Sequence, residues 1–420
     1  MTNGQNPSLE KNFPIAYRAD VVSKIFENIS KRESFSFIGM EDNCKINVLR
    51  FLSTRTDIQK KYLGNKTDKY LYVLTDLNEL MEPTVTGFYH LVALSLIEAL
   101  KNEKIDFSFL NNIFIDSPQI LLKSLKEDFA KAIEKTGKTI VLIFNEFDVV
   151  SQNLNIDLIT RNLVALRNIA RFNIIFIFTL LRPVNLPYSF YKKTVWMTPF
   201  SGKDALGVIS RNEGRYEVSL SSSQKEKIIE LSGGHAGMIK FMVQNLADVN
   251  PKTTDAKIKG LDEVGDVCLQ NERLLSPLTD IEKSKLKNNQ YDELLLKLGF
   301  QIKINGKARC FSPALEKYLR KNKGCTPLFC FDKENNEIYF FGKPITKELT
   351  LKEFSLMKLL IDSPDKIFKR DEIMEKIWEN GEYPSDWAFD KLISRLRKKL
   401  SIASENEYIH IKKGVGISLR

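Results

Sequence analysis

The sequence predicts two architectures in one chain: an α/β part built on a parallel sheet with a helical lid, then a smaller α+β part. Three observations carry this. Runs 138–144 (KTIVLIF) and 173–181 (NIIFIFTLL) are almost continuously apolar and rich in Ile, Val and Phe, as strands buried on both faces are. Such runs alternate with helix-period stretches over the first two hundred or so residues, the order of an α/β fold. The last quarter of the chain instead reads as strands, three amphipathic helices and a closing hairpin.

At 420 residues the chain is too long for one compact domain, and length suggests about two to four. A hydrophobic content of 43% lets each domain bury a core. The net charge of +10 favours a polyanionic partner without requiring one. Five cysteines stand scattered at 44, 268, 310, 325 and 330, with no C-x-x-C pair and only three histidines, so no zinc site is expected. The odd count suits a reducing compartment. No apolar run is long enough to span a bilayer, and MTNGQNPSLEKNF lacks the apolar core of a signal peptide. A cytoplasmic protein with no membrane partner is expected.

Within the first part, SFSFIG (34–39) is a strand ending at Gly39, and KYLYVLTDL (69–77) is a second. FYHLVALSLIEAL (88–100) is an amphipathic helix. TVWMTPFSGKDALGVISRN (194–212) reads as leaving the sheet for a helical region. SSQKEKIIELS (222–232) stops at Gly233 and Gly234, and HAGMIKFMVQNLAD (235–248) follows as a helix. PKTTDAK (251–257) is a polar connector, and a small α-rich unit ends in a hairpin that turns at Asn305-Gly306. KNKGCTP (321–327) is a linker. The expected division is an α/β domain over 1–200, a lid over 201–260, a small helical or winged-helix-like unit with linker over 261–325, and the terminal unit over 326–420.

The terminal unit opens with strands over 328–345, turning at Asn335-Asn336. Thr350 and Glu353 have capping-box spacing, ahead of a stripe of Phe354, Leu356, Met357, Leu359 and Leu360. The second helix, within 367–380, turns Ile373, Ile377 and Trp378 inward. The third, 385–400, takes Ser385 as N-cap and lines up Phe389, Ile393, Leu396 and Leu400. A hairpin over 408–420 turns near Gly414 and Gly416. Strands, three helices and a hairpin make a winged helix. The blocks LTLKEFSLMKLL, RDEIMEKIW, SDWAFDKLISRLRKKL and KKGVGISL resemble, in order and spacing, the effector domain of OmpR/PhoB-type response regulators. Ile417 departs from that family, which has an aromatic residue after the wing glycine; a weaker wing contact is expected, with the fold intact.

Charge layout supports the role independently. Residues 371–390 carry seven acids and one lysine, whereas 391–420 carry eight basic residues and two acids. The basic half coincides with the third helix and the wing, the parts that meet DNA in such a motif. Trp387, Lys391, Ser394, Arg395, Arg397, Lys398, Lys399, Lys412 and Lys413 are therefore the candidate DNA-contacting residues. Lysine and arginine would neutralise phosphates, and Ser394 or Arg395 would reach base edges.

The first part carries no phosphoacceptor signature. It resembles the P-loop ATPases of the STAND and archaeal origin-recognition type, within the AAA+ group. GMEDNCKI (39–46) falls where a Walker A motif reads G-x-x-x-x-G-K followed by Ser or Thr. NEFD (145–148) falls at the Walker B position, and 198–209 and 230–240 look like that family's lid. Gly39 and Lys45 are kept. Cys44 replaces the second glycine and obstructs close backbone approach to phosphate. Ile46 offers Mg²⁺ no oxygen, and Asn145 removes the Walker B charge. Glu146 stands where a water-activating base would sit, as the only and weak catalytic candidate. Cys44 is either a buried small side chain or a redox-sensitive thiol, and the inert reading is preferred. His235, beside two glycines, reads as a cap residue and not a catalyst.

The function these features predict is DNA-binding control of transcription, with an inactive P-loop module for sensing, restraint or assembly. Double-stranded DNA is the expected partner, with transcription machinery and a second copy of the chain as further ones. No cofactor is required. Two alternatives remain: a STAND-type switch that uses ATP and Mg²⁺ on DNA, and a protein-interaction scaffold.

Overall fold

A computed structural model of the chain describes residues 12–420 apart from 109, 111–116, 171, 185, 187–192, 248–253, 321–328, 333–335, 341–342, 364–365, 379–385, 402–407, 413–415 and 420. Contacts group it into two units. Met1–Ile258 with Glu272–Leu319 form the first, and Lys259–Asn271 with Arg320–Arg420 form the second.

The first unit is built on a five-stranded sheet. Its strands are β1 (Phe35–Gly39), β2 (Tyr70–Asp76), β3 (Thr139–Asn145), β4 (Ile174–Leu180) and β5 (Thr194–Met197), in the order β2-β3-β4-β1-β5. Every pairing is parallel. All residues of β1, β3 and β4 are buried, because helices cover both faces of a parallel sheet. That is why these strands appear in the sequence as unbroken apolar runs.

The strand β5 corrects the sequence reading, which placed TVWM outside the sheet. It is an edge strand of four residues that alternates in burial and opens on an exposed Thr194. So short an edge element carries no continuous apolar signal. Its fit against β1 is close: a Cβ on Gly39 would lie 2.9 Å from the Met197 carbonyl oxygen.

Parallel strands bring the loop after β1 and the ends of β3 and β4 to one edge of the sheet, where α/β folds place their ligand sites. The lid stands beside that edge, as helices Gly202–Tyr216, Ser222–Ser232 and Ala236–Gln244. Ser221 and Gln224 form a capping box on the second of these. Between the second and third, Gly233 and Gly234 take φ of 58° and 79°. A side chain at Gly234 is excluded outright, since its Cβ would sit 1.9 Å from the Phe200 carbonyl oxygen.

The same unit includes helices Asp280–Lys287, Glu293–Leu298 and Pro313–Arg320 around a hairpin of β6 (Gln301–Ile304) and β7 (Lys307–Cys310). Asn305 and Gly306 make its turn with positive φ at both positions. Arg182, just past β4, donates to both carboxylate oxygens of Glu282 at 2.6 and 2.8 Å. This two-pronged bond fastens the small helices to the sheet.

The second unit has a three-stranded sheet of β8 (Phe329–Asp332), β9 (Glu337–Phe340) and β10 (Lys343–Pro344). Helices Leu351–Ile361, Arg370–Ile377 and Asp386–Ser401 follow, then an antiparallel ribbon of β11 (Ile409–Lys412) and β12 (Gly416–Leu419). Thr350 and Glu353 form the capping box expected of them. One core joins Leu356, Met357, Leu360, Ile373, Phe389, Ile393, Leu396 and Leu400 to the strands, with Trp378 packed at its edge. Ile417 is 3% exposed in that core, and its backbone exchanges two 2.8 Å hydrogen bonds with Phe368. The residue that departs from the family thus packs inward.

Several sequence readings lie outside the described residues: the linker 321–327, the first three residues of the connector 251–257, the turn at Asn335, the N-cap Ser385, and Lys413 and Gly414 in the wing. The side chain of Lys412 is also outside them. No described helix is long and apolar enough to cross a membrane.

Candidate nucleic-acid interface and phosphate-type loop

The helix Asp386–Ser401 has two chemically distinct sides. Phe389, Leu392, Ile393, Leu396 and Leu400 fall three or four residues apart, so they share one face and are buried. Trp387, Lys391, Ser394, Arg395 and Lys398 are exposed. The Lys391 ammonium lies 4.1 Å from the centre of the Trp387 ring, and that ring is 68% exposed. Cation and ring brace one another without taking either from solvent.

Two of the predicted contact residues are used differently. Arg397 is half-buried and donates from Nε to the Ile409 carbonyl at 2.9 Å, tying the helix to β11. Lys399 donates from Nζ at 2.6 Å both to Glu353 Oε2 and to the Glu348 carbonyl. Glu353 is buried, which pulls its pKa up, but Lys399 and the Thr350 cap hold the carboxyl below its ordinary range. These two cations hold the unit together. Neither role had a signal in the sequence: Glu353 and Lys399 are 46 residues apart.

The loop after β1 runs from Met40 to Cys44 into the helix Lys45–Thr54. Cys44 sits at φ 62°, ψ 33°, in the left-handed region that glycine occupies without cost. The backbone conformation is therefore the one a glycine would hold, although the side chain is present. Burial pushes the Cys44 thiol up to about 11, which leaves it protonated and unreactive near neutrality.

Lys45 is 4% exposed. Its ammonium donates to the Gly39 carbonyl at 3.2 Å and lies 3.8 Å from Glu146 Oε1. Ile46 follows, half-buried. At the end of β3, Asn145 donates from Nδ2 to Asp76 Oδ1 at 3.0 Å and accepts from the Thr179 hydroxyl at 3.3 Å. Glu146, at φ 54°, donates its backbone N–H to the same hydroxyl at 2.7 Å. Asp148 accepts the Leu181 N–H at 2.9 Å, and burial raises its carboxyl to about 6 against the pull of Lys45. Glu41 is raised by burial and by neighbouring Asp42.

His235 joins the lid to this loop. Its Nδ1 accepts the Met238 N–H at 3.3 Å as the N-cap of Ala236–Gln244, so Nε2 carries the proton and donates to the Glu41 carbonyl at 2.8 Å. Burial lowers the ring's pKa to about 4. Asn43 donates to the Thr198 carbonyl at 3.1 Å, and Arg18 donates to the same oxygen at 3.0 Å. Arg273 lies 3.6 Å from Asp42. Among the described residues, no group of three or more His, Cys, Asp or Glu side chains is placed to hold a metal ion.

The second unit is a winged helix of the OmpR/PhoB type, and the first has a parallel α/β sheet whose first strand runs through a short loop into the helix Lys45–Thr54. Residues 343–419 match the family described as "Transcriptional regulatory protein, C terminal". Among curated proteins, the uncharacterized transcriptional regulatory protein YclJ of Bacillus subtilis is 33% identical over 91 residues, 22% of this chain and 39% of that one. The transcriptional regulatory protein CreB of Escherichia coli is 35% identical over 85 residues, 20% of this chain and 36% of that one. The chain thus spans well under half the length of these relatives. Over 74% of its length it is similar to the Walker-type ATPase PABY2304 of Pyrococcus abyssi, covering 99% of that chain at 14% identity and a TM-score of 0.49.

Proposed function

We propose that the protein is a transcriptional regulator that binds duplex DNA through Lys391, Ser394, Arg395 and Lys398, with Trp387 at the helix start. The observation that carries this reading is the two-sided helix Asp386–Ser401: a buried apolar face fixes it, and cations stand exposed on the other. Such a helix enters a major groove with its polar side to the bases. Arg397 and Lys399 act as supports, and Lys412 and Lys413 remain candidates for phosphate contact from the wing.

In this reading the first unit binds no magnesium nucleotide. The residues present do not fit one. Lys45 already serves Gly39 and Glu146, Ile46 has no oxygen for a cation, and Asn145 is held by Asp76 and Thr179. The carboxyls of Glu41, Glu146 and Asp148 lie close enough to Lys45 to interact with its charge, and they would oppose a phosphate brought to that lysine. The unit works as a scaffold for sensing, restraint or assembly.

The test is selection of bound genomic fragments by the full chain, followed by anisotropy titration on the selected duplex. Arg395→Ala should weaken binding by about 1–3 kcal/mol where it reads a base and relax sequence preference there. Lys398→Ala should weaken all duplexes alike and flatten the salt dependence by about one unit. Unchanged affinity in both variants would remove the interface. Calorimetry with ATP and magnesium should show no binding, and measurable phosphate release would restore the ATPase alternative.

A further inference from the structure

Residues 259–271 stand apart in the chain. They lie between two stretches of the first unit, yet they group with the second, alongside Arg320–Arg420. The segment holds a short 3-10 turn, Leu261–Glu263, and the start of the helix Gly265–Leu275. Leu261, Val267, Gln270 and Asn271 have no exposed surface, and Cys268 is 4% exposed.

Two features of this segment act in opposite directions. Among the described residues, both side-chain polar atoms of Gln270 and both of Asn271 lack a hydrogen-bond partner. A buried amide without a partner forfeits its bonds to water, and each orphaned group lowers the population of the buried state roughly fivefold or more. Cys268, by contrast, is disulfide-bonded. Cys44 and Cys310 are free thiols, so of the five cysteines Cys325 and Cys330 are left to pair with it. Both belong to the second unit. The covalent bond therefore fastens in place a segment whose own polar groups favour release. An odd cysteine count suits a reducing compartment, where a disulfide is transient and serves sensing more than support.

We propose that residues 259–271 are a redox-controlled latch on the second unit, closed by the Cys268 disulfide and opened by a dithiol reductant. Local opening of the segment admits the reductant, since Cys268 itself is buried. One thiolate of the reductant attacks the disulfide, forms a mixed disulfide and releases one cysteine as thiolate. The second thiol of the reductant then displaces the other cysteine. The S–S bond of the latch breaks, an S–S bond forms in the reductant, and two electrons and two protons pass to the two cysteines. With the covalent bond gone, the unpartnered amides of Gln270 and Asn271 exchange burial for water and the segment leaves the second unit. A small-molecule disulfide reverses both steps. The latch gives restraint of the second unit a chemical trigger, the thiol–disulfide balance around the protein.

The experiment uses the full chain and involves no DNA, so its failure and failure of the proposed interface are read separately. The chain is oxidised with glutathione disulfide and its peptides are mapped without reduction; Cys268 should be joined to Cys325 or Cys330. Hydrogen exchange is then followed with and without dithiothreitol. Amides of 259–271 should exchange about tenfold or more faster in the reduced chain, while those of β1, β3, β4 and the helix Asp386–Ser401 stay unchanged. Cys268→Ala should exchange at the reduced rate in both conditions. Gln270→Met with Asn271→Leu keeps side-chain volume and removes the orphaned polar atoms, so this double variant should stay protected in dithiothreitol. A disulfide that merely supports packing gives no such rescue. A Cys268 thiol still free after oxidation, exchange indifferent to dithiothreitol, exchange that rises equally across the second unit, or a double variant that opens as readily as the unaltered chain would each overturn the proposal.

Discussion

His235 has no exposed surface, and it makes both of its ring hydrogen bonds to backbone, one to the lid helix and one to the loop after β1. Protonation would convert Nδ1 from acceptor to donor, break the Met238 cap, and bury a charge. Its pKa of about 4 against an ordinary 6.5 corresponds to about 3 kcal/mol. The sign follows from the direction of the shift. Between pH 4 and 6.5 the unfolded chain binds more protons than the folded one, so this stability is whole above 6.5 and drains away as pH falls to 4.

Asp148 works in the opposite sense. Its carboxyl is raised from 3.8 to about 6, so the folded state holds a proton the unfolded state has lost, and acidification through that window stabilises. The two contributions nearly cancel in the unaltered chain. The informative perturbation is therefore His235→Asn, whose amide oxygen can still cap Met238. Urea melts should show it about 1–2 kcal/mol less stable at neutral pH, for the lost bond to Glu41, yet more stable at pH near 4.5 than at 7. With three histidines in the chain, selective carbon labelling identifies the His235 resonance by its absence in the variant. A His235 signal that titrates near 6.5 would refute the buried, doubly bonded ring and the magnitude built on it.

Asp148→Asn should gain up to about 3 kcal/mol above pH 6.5 and nothing near pH 4, measured by the same melts. Glu353→Ala removes a capping box and leaves Lys399 without its carboxylate, so the second unit should lose about 2–3 kcal/mol; a change under half a kcal/mol would refute that support role. Gly234→Ala requires the Phe200 carbonyl to move from a 1.9 Å approach, and the first unit should lose its cooperative melting transition while the second keeps its own.

What was legible in the sequence was whatever depends on neighbours along the chain. Strands β3 and β4 announced themselves because burial on both faces demands an apolar residue at every position. The Thr350–Glu353 box and the Asn305-Gly306 turn are local chemistry with fixed spacing. The edge strand β5 was hidden because one exposed side and four residues leave too little pattern. Partners far apart in the chain were hidden altogether: Lys399 on Glu353, Arg397 on the Ile409 carbonyl, Arg182 on Glu282 and Asn145 on Asp76. Composition marked Arg397 and Lys399 as cations on a basic helix, and only the packing separates them from Arg395.

We read the loop after β1 as a phosphate-binding loop that no longer takes its ligand. A loop that grips phosphate leaves donors and a lysine to be satisfied by ligand, and without ligand they cost free energy. Here the retained Lys45 and one departure, Asn145, are bonded internally. Lys45 turns back to Gly39 and toward Glu146, Asn145 pairs with Asp76, and Thr179 takes both the Asn145 oxygen and the Glu146 amide. The left-handed turn at Cys44 is kept, so the lid still meets the loop through His235 and Glu41. Ligand binding stabilises a fold only through affinity for the native state, so on the reading proposed above a loop already bonded internally would gain little from a nucleotide. Restoring Cys44→Gly, Ile46→Thr and Asn145→Asp together should therefore first cost stability, by freeing Asp76 and placing two carboxylates side by side, before any magnesium nucleotide returns it.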